Sequence, residues 1–545
     1  MKGMSYKWIV ASVVIFGVFM VLLDTTIVNI AIPRLQNAFG AGLTDVSWVA
    51  TGYTLAEGAG IPLTPFFSAH LGNKRFYLLI LALFTVGSAL CGLAWSLTAL
   101  IAFRVLQGIA GASMIPMSIT LLYSEFPPEE RGTAMGALGL PLLVAPTLGP
   151  TVGGYIVTFV DWRVLFYINV PIGILGVLLA SIFLHDSRPE GGRYFDVPGF
   201  LCSSVGLASL LYAFSSAGTD GWSSATVFTF LMIGLGSLVI FVVVELLTID
   251  NGKQPLLDLR VFRSISFTGG NLALLTTIFA LFGALFLTPL YLQNLRGLSA
   301  YAAGLVLLPQ ALGSAVSSAI GGRLVDKVGI KAVVIPGLAI LCMALWGFAH
   351  LTLETSFAMF QLLLIMRGLG QGLVGQPVIV SALAEIKPAQ LSQASSINSV
   401  VRSVSSALAV ALVSTLVATR TTFHYVHLAE QVTPGSPAGQ ALQQKAAYLV
   451  SQGITQQNAL LVATELTIKQ LQQQAFLLAM NDAFLISLGV VFATVFIVLF
   501  TFRSPHKKAT IAPLGKKPGS IASGGKQREG SDVSKAGEEH TSVIH

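Results

Sequence analysis

Charge is what this chain has least of. Only 10% of its 545 residues are Asp, Glu, Lys or Arg, while 54% are hydrophobic and the mean hydropathy is +0.78. A water-soluble domain carries about 25% charged residues, so most of this surface does not face water. Cysteine is also scarce. Cys91, Cys202 and Cys342 lie far apart, each within an apolar stretch, which gives neither a disulfide framework nor a metal-ligand spacing. Enzyme signatures are missing as well: there is no phosphate-cradling Gly-Lys loop, no nucleophile elbow and no HExxH pair. No segment is long and polar enough to be an ATPase domain. The expectation is a protein that is not an enzyme, holds no metal or cofactor, and does not run on ATP.

What fills the chain is apolar runs. A membrane span needs roughly 20 such residues, and fourteen stretches qualify. They lie near 8–33, 47–67, 76–95, 98–122, 133–157, 164–184, 197–217, 225–248, 267–292, 300–321, 332–350, 356–382, 396–418 and 478–502. The thirteenth is the least apolar, because its first half is Ser-rich and holds Asn398 and Arg402. The first could be mistaken for a secretory signal, but it is too long, contains Asp24 and lacks a cleavage site of small residues.

The net charge of +7 invites an acidic partner such as nucleic acid, and its distribution argues against one. With fourteen spans, 22 of the 31 Lys and Arg fall at the N-terminus, in alternate loops or in the tail. Arg34, Arg163, Arg296, Arg420, Lys445 and Lys469 fall in the other loops; Arg104, Arg367 and Arg402 lie within spans. This is the positive-inside bias, and it predicts a multi-pass protein of the cell membrane with both termini cytoplasmic.

Two sets of six spans recur. Gly72-x-Lys74 is followed by Arg104, Gln107, Gly108 and Pro116; Gly329-x-Lys331 is followed by Arg367, Gln371, Gly372 and Pro377. Such a repeat predicts two bundles rocking about a central site. The expected organisation is a six-helix bundle over 1–184, a linker with two extra spans over 185–266, and a second bundle over 267–502. The second bundle includes an external loop at 419–477, read as a helical hairpin or a disordered connector. A Gly, Ser and Lys-rich tail at 503–545 is expected to be disordered.

Ionisable groups inside spans are expensive and are candidates for function. Asp24 and Glu57 lie at matching depth on consecutive spans, about 14 Å from one surface at 1.5 Å per residue. They could share or relay a proton, and a lipophilic cation could compete with it. Glu57 is also a candidate for binding substrate. The plainer alternative for each is a hydrogen-bonded group that stabilises packing. Arg104 could pair with or tune the acids, lock helix packing, or snorkel to the interface. Asn398 with Arg402 is a second buried polar candidate. The loop GGRLVDKVGIK (321–331) joins glycine turns to alternating charge. Its Asp326 could cap a helix N-terminus or pair across the bundle interface and latch one side shut. In APTLGPTVGGYI (145–156), Gly149, Pro150, Gly153 and Gly154 put weak spots in a span, where bending or close packing is useful. A simple packing kink is the alternative.

These motifs together resemble the major facilitator superfamily, in its branch of 14-span drug:proton antiporters typified by EmrB and QacA. The resemblance covers about residues 10–500. LLDTTIVNIAIP (22–33) is similar to that family's first-span signature, and FRVLQGIAGA (103–112) to its fourth-span motif, with Arg104 at the arginine implicated in proton transfer. Gly149-Pro150-x-x-Gly153-Gly154 resembles the fifth-span antiporter motif, and WRVLFYINVPIG (162–173) a run characteristic of the 14-span branch. One departure stands out. Where the family's first loop carries Asp and then Arg, this chain has Ala69 and His70, so a gate built from Gly72, Gly322, Asp326, Lys327 and Gly329 would rest mainly on the second half.

The resemblance implies an all-α polytopic protein with the major facilitator fold, two six-helix bundles plus two extra central helices. It implies alternating-access export of hydrophobic, cationic drugs in exchange for protons, with the proton gradient in place of any cofactor. Partners would be such small molecules, protons and the bilayer; a periplasmic or cell-wall adaptor stays open. Export of an endogenous lipid, peptide or metabolite is the nearest alternative, and a non-transporting receptor or scaffold the alternative from another class.

Overall fold

The computed structural model describes residues 5–186 and 195–502; the expected tail at 503–545 lies outside the described residues. Among these residues the chain is helical throughout, with no strand. The helices are α1 (Tyr6–Phe39), α2 (Leu43–Gly60), α3 (Thr64–Leu71), α4 (Asn73–Gly92), α5 (Leu97–Ala112), α6 (Met114–Glu125), α7 (Arg131–Phe159), α8 (Val164–Tyr167) and α9 (Asn169–Phe183). Then follow α10 (Val197–Asp220), α11 (Ala225–Asp250), α12 (Ile265–Leu290), α13 (Ala300–Val328), α14 (Ile330–Phe348), α15 (Phe357–Leu383), α16 (Leu391–Glu430), α17 (Pro437–Ser451) and α18 (Gln456–Thr501).

Among the described residues, thirteen helical segments are long and apolar enough to cross a membrane, where fourteen are expected. The one without a counterpart is the second. Helix continues there from α2 through a 3₁₀ turn, Ile61–Leu63, into α3, but Glu57 and the many Gly and Thr residues of 47–67 leave it less apolar than the other spans. The expected thirteenth span is continuous helix inside α16 despite its serines. Several of these serines, such as Ser405 onto the Val401 carbonyl, bond back to the preceding turn instead of opening the helix.

The 419–477 segment is helical over most of its length. α16 runs on to Glu430, α17 follows, and α18 starts at Gln456 and continues unbroken to Thr501. Its Gln and Ala content favours helix, and Ala459, Ala463 and Ala475 are buried. Asp482 of α18 ties the two long helices together through Arg420 Nε (3.0 Å) and His424 Nε2 (2.9 Å) of α16. Likewise α1 passes through Pro33 and ends only at Gly40, whose φ of 61° closes the helix with a left-handed cap.

Lys7, Lys74, Arg75, Arg131, Arg323, Lys327 and Lys331 mark one end of the bundle, here termed the basic end. Contacts knit it: Lys7 to Glu130, Tyr6 stacked on His185, and Arg75 to Asp186 at 3.0 Å. The turns before α4 and α14 have the same backbone form. Gly72 has φ 80°, ψ 154° and Gly329 has φ 89°, ψ 163°, a conformation favouring glycine. The repeat seen in sequence is therefore a repeat in backbone geometry.

α7 and α13 pack antiparallel along their whole length, α1 packs on α7, and α15 packs on α13 and α14. On another side of the bundle the extra helix α10 lies against both α2 and α16. Ser204 Oγ donates to the Ala59 carbonyl at 2.9 Å, Trp48 stacks on Tyr212, and Trp222 Nε1 donates to Thr415 Oγ1 at 2.9 Å. The extra pair is thus part of the wall between the halves.

Candidate functional site

Asp24 lies fully buried in the middle of α1. Arg104 reaches it from α5 with Nη1 at 2.5 Å from Oδ2, and is itself 1% exposed. The other carboxylate oxygen accepts from Gln107 Nε2 (3.1 Å) and from Asn169 Nδ2 at the start of α9 (2.7 Å). Arg104 further donates to Gln107 Oε1 (2.8 Å) and to the Val49 carbonyl (3.2 Å), and its guanidinium lies 4.1 Å from the Tyr53 ring centroid. Ser88 accepts from Asn169 and donates to the Phe166 carbonyl. One buried ion pair therefore joins α1, α2, α4, α5 and α9. Burying two charges is tolerable because both carboxylate oxygens accept and the guanidinium donates; Asn169 Oδ1 is left without a hydrogen-bond partner among the described residues.

Glu57 stands apart. The sequence expectation was a proton shared between Asp24 and Glu57; the structure instead commits Asp24 to Arg104 and two amides. Glu57 is half-buried on α2 and, among the described residues, has no hydrogen bond and no ion pair. Of the charges acting on it, that of Arg402 on α16 is largest, followed by Arg104 and Asp24. Arg402 is half-buried too, and Glu57 is the charge that acts on it in return. These two opposite charges belong to different halves and are not clamped together.

The second buried polar candidate has two separate members, Asn398 and the half-buried Arg402. Asn398 is buried and donates to Asn271 of α12 at 3.3 Å. Arg367 occupies the repeat position of Arg104, yet its neighbours are neutral oxygens: Leu281 carbonyl (3.1 Å), Gln310 Oε1 (3.2 Å) and Thr288 Oγ1 (3.3 Å). The ion pair of the first half has no copy in the second among the described residues.

At the basic end, Asp326 of α13 receives the first backbone N–H groups of α7. Gly132 N is 2.8 Å from Oδ1; Thr133 N (2.7 Å) and Thr133 Oγ1 (2.5 Å) bind Oδ2. A carboxylate at a helix N-terminus meets both unsatisfied donors and the positive end of the dipole. The close approach depends on Gly132 and Gly322: a methyl at Gly322 would lie 2.3 Å from the Gly132 carbonyl oxygen. Ser318 Oγ donates to the Gly136 carbonyl (3.1 Å), and Thr120 meets Ser395 across α6 and α16 at 3.0 Å. Lys327, by contrast, is exposed and takes no part in these bonds.

The GPxxGG stretch serves two faces of α7, which runs as helix through residue 150; the Pro150 side chain lies outside the described residues. Methyls at Gly149 and Gly153 would lie 2.2 Å from Thr26 Oγ1 and 2.8 Å from Ile27 Cγ1 of α1. Gly154 turns to Tyr301 of α13 with 3.9 Å to spare. The stretch brings α7 onto α1 within one turn of Asp24.

Asn169, Tyr53 and Gln107 complete the buried network. Gln107 lies in the fourth-span motif and Asn169 in the WRVLFYINVPIG run, so their motifs flagged the region without naming their contact. Tyr53 had no such signal.

An all-helical bundle of two repeated sets of spans, with a charge network held inside it, defines a polytopic membrane transport protein. The sequence profile of the Major Facilitator Superfamily matches residues 14–410, and the chain belongs to that superfamily. The multidrug export protein EmrB of Escherichia coli (strain K12) is 30% identical over 486 residues, 88% of this chain and 93% of EmrB. The fatty acid resistance protein FarB of Neisseria gonorrhoeae is 30% identical over 487 residues, 89% of this chain and 94% of FarB. The crystal structure of the human organic anion transporter MFSD10 covers 90% of this chain and 100% of its own, with a TM-score of 0.56 at 15% identity; that likeness concerns the fold alone.

Proposed function

We propose that this protein is a proton-coupled antiporter that exports hydrophobic, cationic drugs across the cytoplasmic membrane by alternating access, with the basic end and both termini in the cytoplasm. The observation that carries the reading is the buried Asp24–Arg104 pair next to an unclamped Glu57. Protonating Asp24 would release Arg104 from the one carboxylate it binds among the described residues. That rearranges a network joining α1, α2, α4, α5 and α9, and so couples a proton to helix positions. Glu57, half-buried at the seam between the halves, offers a negative charge for a cation. Loading a cation there and a proton on Asp24 at opposite steps would make the exchange obligatory. The 30% identity to a multidrug exporter over most of both chains supports the substrate class.

Reconstituted vesicles with an imposed pH gradient and a panel of cationic and neutral dyes test the reading. D24N should lose gradient-driven dye movement per molecule of folded protein in the vesicles, and unimpaired efflux in that variant refutes it.

A second reading, export of an endogenous lipid or other amphiphile, is favoured by one observation. A cavity of about 250 Å³ lies between the extra helices and α16, lined by Pro62, Leu207, Leu238, Phe241, Val401 and Val404 among others. Its lining is almost wholly apolar and does not include Arg402, so it suits an acyl chain. The same vesicles loaded with a spin-labelled fatty acid decide: gradient-driven movement of the fatty acid in preference to the cationic dyes establishes this second reading.

A further inference from the structure

The foot of the extra helix pair holds two buried acids that nothing above employs. Asp196 caps the start of α10 and Glu245 lies one turn before the end of α11; they are 4% and 0% exposed. Each carboxylate has one oxygen satisfied by backbone: Gly199 N donates to Asp196 Oδ1 at 3.0 Å, and Leu257 N to Glu245 Oε1 at 3.1 Å. The remaining oxygens, Asp196 Oδ2 and Glu245 Oε2, are both buried, and neither has a hydrogen-bond partner among the described residues. The two carboxyls stand over the same glycine: a methyl at Gly199 would be 2.4 Å from Asp196 Oδ2 and 3.2 Å from Glu245 Oε1.

No described cation neutralises them. The other acid acting on Glu245 is Asp258, in the loop before α12. Its oxygens bind Arg260 Nε and Nη2 at 2.8 Å and Gln390 Nε2 at 2.9 Å. Partial burial raises the Asp258 carboxyl, but the hydrogen bonds from Arg260 and Gln390 outweigh it and hold the group below its ordinary value. Asp258 is therefore ionised, and Arg260, half-exposed, is already engaged with it.

Two ionised carboxylates facing each other in a desolvated site repel strongly, and each orphan oxygen costs free energy for want of a donor. A single proton removes both penalties. Bound to Asp196 Oδ2, it turns that carboxyl into a donor beside Gly199, where Glu245 Oε1 also stands. We infer that Asp196 and Glu245 hold one proton between them, which makes the foot of the α10–α11 pair a proton-binding site separate from Asp24.

The proton fastens the start of α10 to the end of α11 and to the 256–257 backbone. That backbone leads directly to Asp258 and thence, through Gln390, to the start of α16. Losing the proton sets two like charges against each other at this junction. The attachment of the extra pair to the second half thus becomes sensitive to pH without involving the Asp24 network. The groups acting on the site from the packed elements are Asp196 and Gly199 N of α10, the Leu256 and Leu257 N–H groups, and Asp258, which Arg260 in turn holds.

Infrared difference spectroscopy of the full chain in lipid nanodiscs, titrated with pH, tests the inference. The wild type should show a protonated-carboxyl C=O band that disappears in both E245Q and D196N, because one proton serves two residues. Thermal unfolding supplies the second readout. The wild-type midpoint should fall as pH rises and the shared proton leaves. E245Q, whose amide donates to Asp196 at every pH, should lose at least half of that decline. If E245Q does not fold, D196N carries the same comparison. Three results overturn the inference: both variants keep every carboxyl band; each variant removes a different band; or Mg²⁺ or Ca²⁺ raises the wild-type midpoint at high pH and not that of E245Q, which makes it a cation site. None of these readouts depends on transport, so failure of the exporter reading leaves them standing.

Discussion

Replacing Asp326 by Asn isolates the contact between the halves at the basic end. The carboxylate accepts three hydrogen bonds, from Gly132 N, Thr133 N and Thr133 Oγ1. An amide has only one acceptor oxygen, and its NH₂ must then face at least one of those donors. Losing a hydrogen bond to a charged group costs about 1.5–3 kcal/mol, and losing the charge at the helix N-terminus about 0.3–1 kcal/mol more. Asp326 is half-buried, which favours the lower part of each range and gives about 2–3 kcal/mol in all. At 1.4 kcal/mol per factor of ten, the balance between closed and open basic ends should move by roughly 30- to 150-fold toward open. Spin labels at the exposed Glu129 and Lys327, on a background free of the three native cysteines, report that separation by pulsed electron resonance. D326N should enlarge the long-distance population, whereas a variant that removes only the exposed charge of Arg323 should not. A D326N distance distribution matching the parent would refute the latch and the energetic reasoning behind it.

Further substitutions test the rest of the site. G149A and G153A should lower the unfolding midpoint and transport, since a methyl at either position collides with Thr26 or Ile27, while G154A, with 3.9 Å available, should be nearly neutral; equal damage at all three positions refutes the close-packing assignment. D24N and R104Q should each destabilise by about 3–5 kcal/mol by leaving one buried charge unpaired, and the double variant should recover at least half of the summed loss; strictly additive losses by thermal unfolding exclude a direct pair. E57Q should weaken binding of a cationic dye at least tenfold and leave a neutral dye unchanged, and equal binding of the cation removes Glu57 from the substrate site.

Much of this fold was legible because a bilayer imposes a simple rule: twenty apolar residues make a helix. The rule is weakest at 47–67, where helix runs on through a 3₁₀ turn although Glu57, glycines and threonines dilute the apolar run. It fails at 419–477, where helix persists beyond the apolar stretch because Gln and Ala sustain it in water. The network around Asp24 was half legible. Its charged members announce themselves, since Asp and Arg within spans are rare, but Asn169 and Tyr53 are unremarkable residues until packing brings five helices together. Asp326 was legible as a helix cap in kind, while the helix it caps lies nearly two hundred residues away. The Asp196–Glu245 pair left no signal, because Asp196 reads as a loop acid and Glu245 as one ending a span at the interface.

The two halves repeat in their turns but not in their charges, and the difference bears on direction of coupling. In the first half Arg104 is matched by Asp24. In the second half Arg367 rests on neutral oxygens and Arg402 has no bonded partner among the described residues. Deep within the spans, three guanidinium groups thus accompany two carboxylates, Asp24 and Glu57, while Glu245 and Asp482 lie near the ends of theirs. On the exporter reading, protonating Asp24 leaves this interior still more positive, which disfavours a bound cation near Glu57 by simple repulsion. Deprotonation restores the attraction. The excess of positive charge in the second half therefore makes proton and cation mutually exclusive even though Asp24 and Glu57 do not touch. Replacing Arg402 by Gln should relax that exclusion: cation binding should lose at least half of its pH dependence, with affinity at high pH retained or improved. A binding curve with wild-type pH dependence would place the coupling in the Asp24–Arg104 network alone.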